Sequence, residues 1–289
     1  MSDRLLLCTD LDRTLLPNGV QAESPGARDL FSALAALPDV TLVYVTGRHH
    51  ELMQNAINEY NLPQPVYAIT DVGSKIYRHE DEQWHSWSDW ESEIDSDWSG
   101  MSHATLRELF HDLADLQLQE SNKQNTHKLS FYVSLRADRK ALQNEMETRL
   151  ATHGICASLI WSIDETAAIG LLDVLPKRAN KLHAIEFLAE QIDFKLEDML
   201  FAGDSGNDLA VLASAIPSVL VANASAKLKE TAQISAAEHS DALYIAHGGF
   251  LNMNGNYSAG ILEGVAHFHP RFVDALNNYI VFQKQQDIK

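Results

Sequence analysis

The sequence predicts an α/β protein, a doubly wound parallel sheet with a smaller α+β domain inserted into it. Three observations carry that expectation. The first third repeats strand, turn and helix. From Lys75 to about Glu165 short β-like runs are separated by acidic, Trp-rich and helical stretches. Strand and helix then alternate again from Ile169 onward.

The elements follow in order. Leu5 to Cys8 is a short apolar run, read as a buried parallel strand, and it ends in Asp10 and Asp12. Pro17-Asn18-Gly19 marks a turn, and Ser24-Pro25 opens a helix whose apolar positions are Leu30, Phe31, Leu34 and Leu37. Val40 to Val45 is a second strand closing in Thr46-Gly47-Arg48, followed by a helix through Leu52, Met53, Ala56 and Ile57, and Val66 to Ile69 is a third strand. Within the interruption lie Lys75 to Tyr77, Lys128 to Leu135 and Ala157 to Ser162, together with all five tryptophans, at 84, 87, 90, 98 and 161. Their rings suit either sugar faces near a mouth or, more commonly, packing at a core or domain interface. Ile169 to Pro176 is expected to restore the main sheet, with Lys181 at the start of the next helix. Met199 to Ala202 runs into Gly203-Asp204-Ser205-Gly206-Asn207-Asp208, Ser218 to Val221 precedes a helix capped at Ser225, and a late strand and two helices close the chain. The expected division is 1–77 with 166–289 as the core and 78–165 as a cap.

The chain has 289 residues, long enough for both domains to bury cores. Its 22 Lys and Arg against 40 Asp and Glu, a net charge of -18, argue against nucleic acid or an anionic membrane as the main partner. No stretch approaches a membrane span, and the apolar run after Arg4 is too short for a signal-peptide core, so a cytoplasmic protein is expected. Cys8 and Cys156 lack metal or redox spacing and are read as small buried hydrophobes.

Two carboxylates at the end of an apolar strand are costly unless a cation or a shared proton compensates them. Taken alone, Asp10 and Asp12 could equally be a polar strand end with a capping aspartate. The other strand ends narrow the choice, because parallel strands would bring Asp10, Asp12, Thr46, Lys181, Asp204 and Asp208 to one crevice. Carboxylates without cysteine or clustered histidine form a hard oxygen site suited to magnesium. A lysine and a threonine hydroxyl beside it offer what a phosphate dianion needs, so the residues point to phosphoryl transfer.

These segments carry a resemblance. Asp10-Leu11-Asp12-Arg13-Thr14 resembles the DxDxT motif of the haloacid-dehalogenase-like phosphotransferases, Val45-Thr46-Gly47-Arg48 their second motif, Lys181 their third and Gly203 to Asp208 their fourth. Thr70 to Ile76, Asp173 to Pro176 and Asn254 to Gly264 are similar to the sucrose-phosphate phosphatase family. One departure is Leu182, where relatives usually carry glycine. The resemblance implies Asp10 as nucleophile and Asp12 as acid and base. It implies Mg2+ held by the Asp10 carboxylate, the Asp12 backbone carbonyl and Asp204, with Asp208 behind them or acting through water. It implies Thr46, Gly47, Lys181 and Asn207 around the phosphoryl group. The implied substrate is a disaccharide phosphate, sucrose 6-phosphate first and mannosylfructose phosphate or another sugar phosphate next, and a sucrose-phosphate synthase is an implied partner. Lys128, Asp164 and Glu165 are placed near the sugar by position alone.

Competing readings are weaker. Gly203-Asp204-Ser205-Gly206 also resembles a trypsin-like nucleophile segment, but here it joins a strand to a helix. His49, His50, His247, His267 and His269 are too scattered to suggest a metal site. A phosphosugar mutase would share the phosphoenzyme, whereas a non-catalytic synthase-binding domain would not need Asp10, Asp12, Lys181 and Asp204 together.

Overall fold

The computed structural model describes residues 4–164 and 167–286, with side chains through Val281. Glu165, one of the positions expected near the sugar, lies outside the described residues. The chain runs β1 (Leu5–Thr9), α1 (Ala27–Ala35), β2 (Val40–Val45), α2 (His50–Glu59), β3 (Tyr67–Thr70), β4 (Lys75–Glu80), β5 (Gln83–Ser86), α3 (Ser88–Asp95) and α4 (His103–Leu109). It continues through β6 (Leu116–Leu118), β7 (Leu129–Val133), α5 (Arg139–Thr152), β8 (Ala157–Asp164), β9 (Ile169–Pro176), α6 (Lys181–Gln191), β10 (Met199–Gly203) and α7 (Leu209–Leu212). The last elements are β11 (Ser218–Leu220), α8 (Ala226–Ser235), β12 (Leu243–Ile245), α9 (Ser258–Phe268) and α10 (Val273–Gln286).

The larger sheet has eight strands in the order β12-β11-β10-β1-β2-β3-β4-β5. From β12 to β3 every pairing is parallel, and β1 lies between β10 and β2. Strand β1 is therefore covered on both faces, which is why its run is apolar without alternation. Leu5 and Leu7 enter a cluster with Phe31, Leu34, Ile261 and Leu262, while Leu6 and Cys8 enter the opposite one with Ile185, Leu188 and Phe201. The period-two alternation of a strand thus feeds two cores, one on each side of the sheet. With both faces filled, the polar residues at the carboxyl ends of β1, β2 and β10 have only the sheet's edge to occupy.

Three expectations are corrected. Strands β4 and β5 extend the larger sheet as an antiparallel hairpin beyond β3, so sheet character does not stop at residue 77. Strand β9 does not rejoin that sheet. It lies between β7 and β8 in a four-stranded antiparallel sheet ordered β6-β7-β9-β8, where Leu172 and Val174 enter a third core with Phe131, Leu142 and Met146. An eight-residue apolar run fits a buried strand of either sheet, and only its pairing partners decide. Cys156 is also exposed rather than buried, whereas Cys8 is buried as expected.

Of the tryptophans, Trp90 and Trp98 are fully buried, Trp90 in the core that also holds Ile76 and Ile185. The Trp90 indole N–H donates to the Gly73 carbonyl at 3.0 Å. Both rings serve packing, and Trp90 joins α3 to the turn after β3.

Candidate active site

The residues after β1 leave the sheet at its centre. Asp10 donates its backbone N–H to the Ala202 carbonyl of β10 at 2.9 Å, so its side chain emerges between two neighbouring strand ends. Lys181 is the first residue of α6, whose N-cap is Asn180. The Asn180 side chain accepts from the His183 N–H at 3.1 Å, which starts the helix where the lysine can turn inward. Lys181 is 1% exposed, and its Nζ lies 2.9 Å from Asp10 Oδ1, 2.6 Å from Asp208 Oδ1 and 3.2 Å from Asn207 Oδ1. Leu182, at the position where the resemblance anticipates glycine, packs against the core beside α6 without displacing these contacts.

Asp208 is fully buried. Its second oxygen accepts from the backbone N–H groups of Asp204 and Ser205 at 3.1 and 3.0 Å and from the Ser205 hydroxyl at 3.1 Å, closing the tight turn after β10. Gly203 is required there, since a Cβ would fall 2.6 Å from the Asp208 carboxyl carbon. Asp204 accepts from the Thr14 hydroxyl at 3.3 Å, and Arg13 Nε lies 3.6 Å from its other oxygen.

Asp10, Asp204 and Asp208 bring one carboxylate oxygen each within 4.8 Å of one another. Burial pushes the Asp10 carboxyl up to about 7, the charges of Asp208 and Asp204 adding to the effect and Lys181 opposing it. Burial, with the Asp208 charge, likewise lifts Asp204 to about 6 against Arg13, Thr14 and Lys181. One buried ammonium does not balance three buried carboxylates, and a hard divalent cation among oxygen donors would. The donor set therefore fits a metal ion, and it contains no histidine.

Asp12 lies outside this cluster. Its side chain is 42% exposed. Arg48 grips it with two N–H donors, Nη2 to Oδ1 at 2.6 Å and Nε to Oδ2 at 2.7 Å, and Asn18 Nδ2 donates to Oδ1 at 2.7 Å. Burial pushes this carboxyl up, but the Arg48 hydrogen bonds and charge, with Asn18, hold it below the ordinary aspartate value. Thr46 is buried at the end of β2, its hydroxyl accepting from the Arg48 N–H at 3.1 Å. Gly47 faces Val72 and Asn207, each about 4 Å from where its Cβ would stand.

The structure thus gathers Asp10, Lys181, Asn207, Asp204 and Asp208 and puts Thr46, Gly47 and Asp12 around them on adjoining strand ends. Sequence reasoning quoted Arg13, Asn18 and Arg48 without giving any of them a role. Their signal was the turn chemistry of Pro17-Asn18-Gly19 and the cation directly after Thr46-Gly47. Of the positions placed near the sugar, Lys128 lies 3.4 Å from Asp71 and 3.9 Å from Asp173, joining the two sheets. Asp164 accepts from the Ala167 N–H in its own turn.

A doubly wound sheet with this arrangement of aspartates, threonine and lysine at its carboxyl edge defines a haloacid-dehalogenase-like hydrolase. Such a hydrolase from Bacillus subtilis shares the fold at a TM-score of 0.62 and 18% identity, over 92% of this chain and 93% of the other. The sucrose-6F-phosphate phosphohydrolase family matches residues 3–269, and the chain belongs to that family; it is a phosphoric monoester hydrolase. A Nitrosococcus oceani protein described as a HAD-like hydrolase is 55% identical over 271 residues, 93% of this chain and 73% of its own length. The mannosylfructose-phosphate phosphatase of Agrobacterium fabrum is 28% identical over 91% of this chain and 96% of its own. The sucrose-phosphatase of Synechocystis sp., solved in complex with sucrose and phosphate, has a TM-score of 0.71 and 25% identity, covering 92% of this chain and 98% of the other.

Proposed function

We propose that the protein is a Mg2+-dependent phosphatase acting on a disaccharide phosphate, sucrose 6-phosphate first, through an aspartyl-phosphate on Asp10. The observation that carries the chemistry is the buried Asp10, held 2.9 Å from Lys181 at the centre of the sheet's carboxyl edge. The sugar rests on the family and on the likeness to the sucrose-phosphatase of Synechocystis sp..

In this reading an Asp10 oxygen attacks phosphorus and the bond to the sugar oxygen breaks, while Asp12 gives that oxygen a proton. A water then attacks the aspartyl-phosphate, Asp12 takes its proton, and the Asp10 carboxylate is regenerated with release of phosphate. Lys181, Asn207, Thr46 and Gly47 bind and orient the phosphoryl group. Asp10, Asp204 and the Asp12 backbone carbonyl would hold the ion, with Asp208 engaged by Lys181 and the turn amides behind them. When bound, Mg2+ supplies positive charge toward the phosphoryl oxygens.

Asp12 as held by Arg48 is ionised, the form required of the base. To serve as the acid it must exchange part of that pairing for the substrate's bridging oxygen, beside a dianion that raises its proton affinity. The four-stranded sheet with α4 and α5 serves as the cap in this reading, with β9 leading from it directly to Lys181. We place the border after α3, whose Trp90 and Ile94 pack in the core of the larger sheet, and again after Pro176.

The test is phosphate release by the purified protein with Mg2+ over sucrose 6-phosphate, mannosylfructose phosphate and glucose 6-phosphate. Preference for sucrose 6-phosphate supports the assignment. Preference for mannosylfructose phosphate would move it to the chemistry named for the Agrobacterium fabrum relative, and equal rates with glucose 6-phosphate would refute disaccharide specificity. Transfer of phosphate between sugar positions without release would indicate a mutase. A synthase partner and a cytoplasmic setting belong to the same proposal; co-elution with a sucrose-phosphate synthase tests the former.

A further inference from the structure

We propose that Asn223, far along the chain from the proposed nucleophile, is a positioning residue whose amide clamps the Asp12–Thr14 turn against Asp204. This rests on the reading of the site given above. Asn223 is 4% exposed and uses both ends of its side chain. Its Nδ2 donates to the Arg13 carbonyl at 2.6 Å, and its Oδ1 accepts from the Tyr257 N–H at 2.9 Å.

Both residues it holds are backbone outliers. Arg13 has φ 60°, and Tyr257 has φ 52° with ψ -132°. Left-handed backbone is unfavourable for side chains of this kind, so each conformation persists only where the surroundings over-determine it. A single buried amide bonded to both supplies that constraint.

What the clamp holds is the three-residue stretch that meets Asp204 from the side of β1. Thr14 donates its hydroxyl to Asp204, Arg13 brings its guanidinium to the other Asp204 oxygen, and Asp12 stands beside them with its carboxylate on Arg48 and Asn18. The backbone next to Asn223, at Ala222 two residues beyond β11, is itself held. Ala222 donates its N–H to the Gly255 carbonyl at 2.9 Å, and Lys229 donates to the Ala222 carbonyl at 2.7 Å. Asn254 and Asn256 bind a different part of the same loop, the Ala22 carbonyl, at 2.8 and 3.1 Å. The loop before α9 is thus tied to the segment after β1 at several points, Asn254 to Ser24 and Tyr257 to Gln21 among them, and among the described residues the Asn223 tie is the one that bonds directly to the Asp12–Thr14 stretch.

Asn223→Asp separates the two bonds. A carboxylate oxygen still accepts from Tyr257, but its partner oxygen now faces the Arg13 carbonyl with no hydrogen to give. We expect kcat to fall by about tenfold or more with KM within about threefold, the scale of losing one buried hydrogen bond. The Mg2+ concentration giving half the thermal shift of the protein without substrate should rise by about tenfold on the same grounds. Asn254→Ala, which loosens another of these ties, should leave that midpoint unchanged.

The proposal is overturned if Asn223→Asp matches the wild type in kcat and in Mg2+ midpoint, or if Asn254→Ala moves the midpoint equally. Should Asn223→Asp not fold, amide hydrogen exchange on the wild-type protein decides. Added Mg2+ should protect residues 11–14 and 254–258 together, and protection of the first segment alone would refute the clamp. Loss of turnover in Asp10→Asn while Asn223→Asp behaves as wild type would sink only the clamp. Turnover retained in Asp10→Asn would instead sink the reading of the site.

Discussion

Asp10 and Asp12 leave the same strand two residues apart and end in opposite surroundings. Asp10 is 4% exposed among two further carboxylates and one lysine, and its carboxyl is pushed up to about 7. Asp12 is half open to solvent on an arginine fork and is held below the ordinary range. Identical side chains thus acquire different proton affinities from burial and neighbours, the difference on which the proposed division into nucleophile and acid/base rests. The contrast also accords with the proposed cation, since on the Asp10 side one lysine faces three buried carboxylates, whereas Arg48 pairs directly with Asp12.

The harshest way to break the comparison is Asp10→Asn. It keeps the shape and removes the proposed nucleophile, so steady-state phosphate release should fall by at least about a thousandfold. Asp12→Asn should spare aryl phosphates, whose leaving groups need little protonation, far more than sugar phosphates.

Lys181→Met attacks the buried side from its partner. Removing one member of a buried ion pair costs about 3–5 kcal/mol, to be read from urea unfolding without added metal. Because Mg2+ would replace part of the missing charge, its addition should recover more stability in this variant than in the wild type.

Arg48→Gln attacks the open side. Freed from the fork, Asp12 should titrate higher, and the acid limb of the pH profile for sugar phosphate should move upward. The rate at neutral pH should change by about tenfold, and less with an aryl phosphate.

The smallest effect concerns pH and metal. Asp10 and Asp204 have folded values of about 7 and about 6 against an ordinary 3.8, so the metal-free folded state binds protons that the unfolded chain has released. Their contribution to stability is therefore fully present below pH 3.8 and is lost as pH rises toward 7. Asp12 acts oppositely, its contribution being present above the ordinary value and lost as pH falls through its depressed one. If Mg2+ binds at the buried carboxylates as proposed it competes there with protons, so its thermal stabilisation should be larger at pH 8 than at pH 5.5. Equal shifts at both pH values would mean that the ion does not bind there.

Much of this was legible beforehand. The uninterrupted apolar runs of β1, β2 and β10 could only be strands covered on both faces, and Asp10, Thr46 and Asp204 stood at their ends. Lys181 was readable as the cation starting the next helix. Less legible was β9, whose apolar run carries no mark of which sheet it joins, and the β4–β5 hairpin, whose polar alternation suited an inserted domain as well as a sheet edge. Arg48 was visible as a cation after Thr46-Gly47, but nothing local said that its fork would close on Asp12.

The sequence by itself determined the doubly wound core and the residues at its carboxyl edge, because periodicity and strand-end chemistry are local properties of the chain. Only the tertiary structure decided the rest: the side of the molecule to which β9 belongs, the arginine that holds Asp12, and Asn223 reaching back to Arg13. Those depend on pairing partners and buried contacts between segments up to about two hundred residues apart, and no local pattern encodes the register in which distant strands and loops meet.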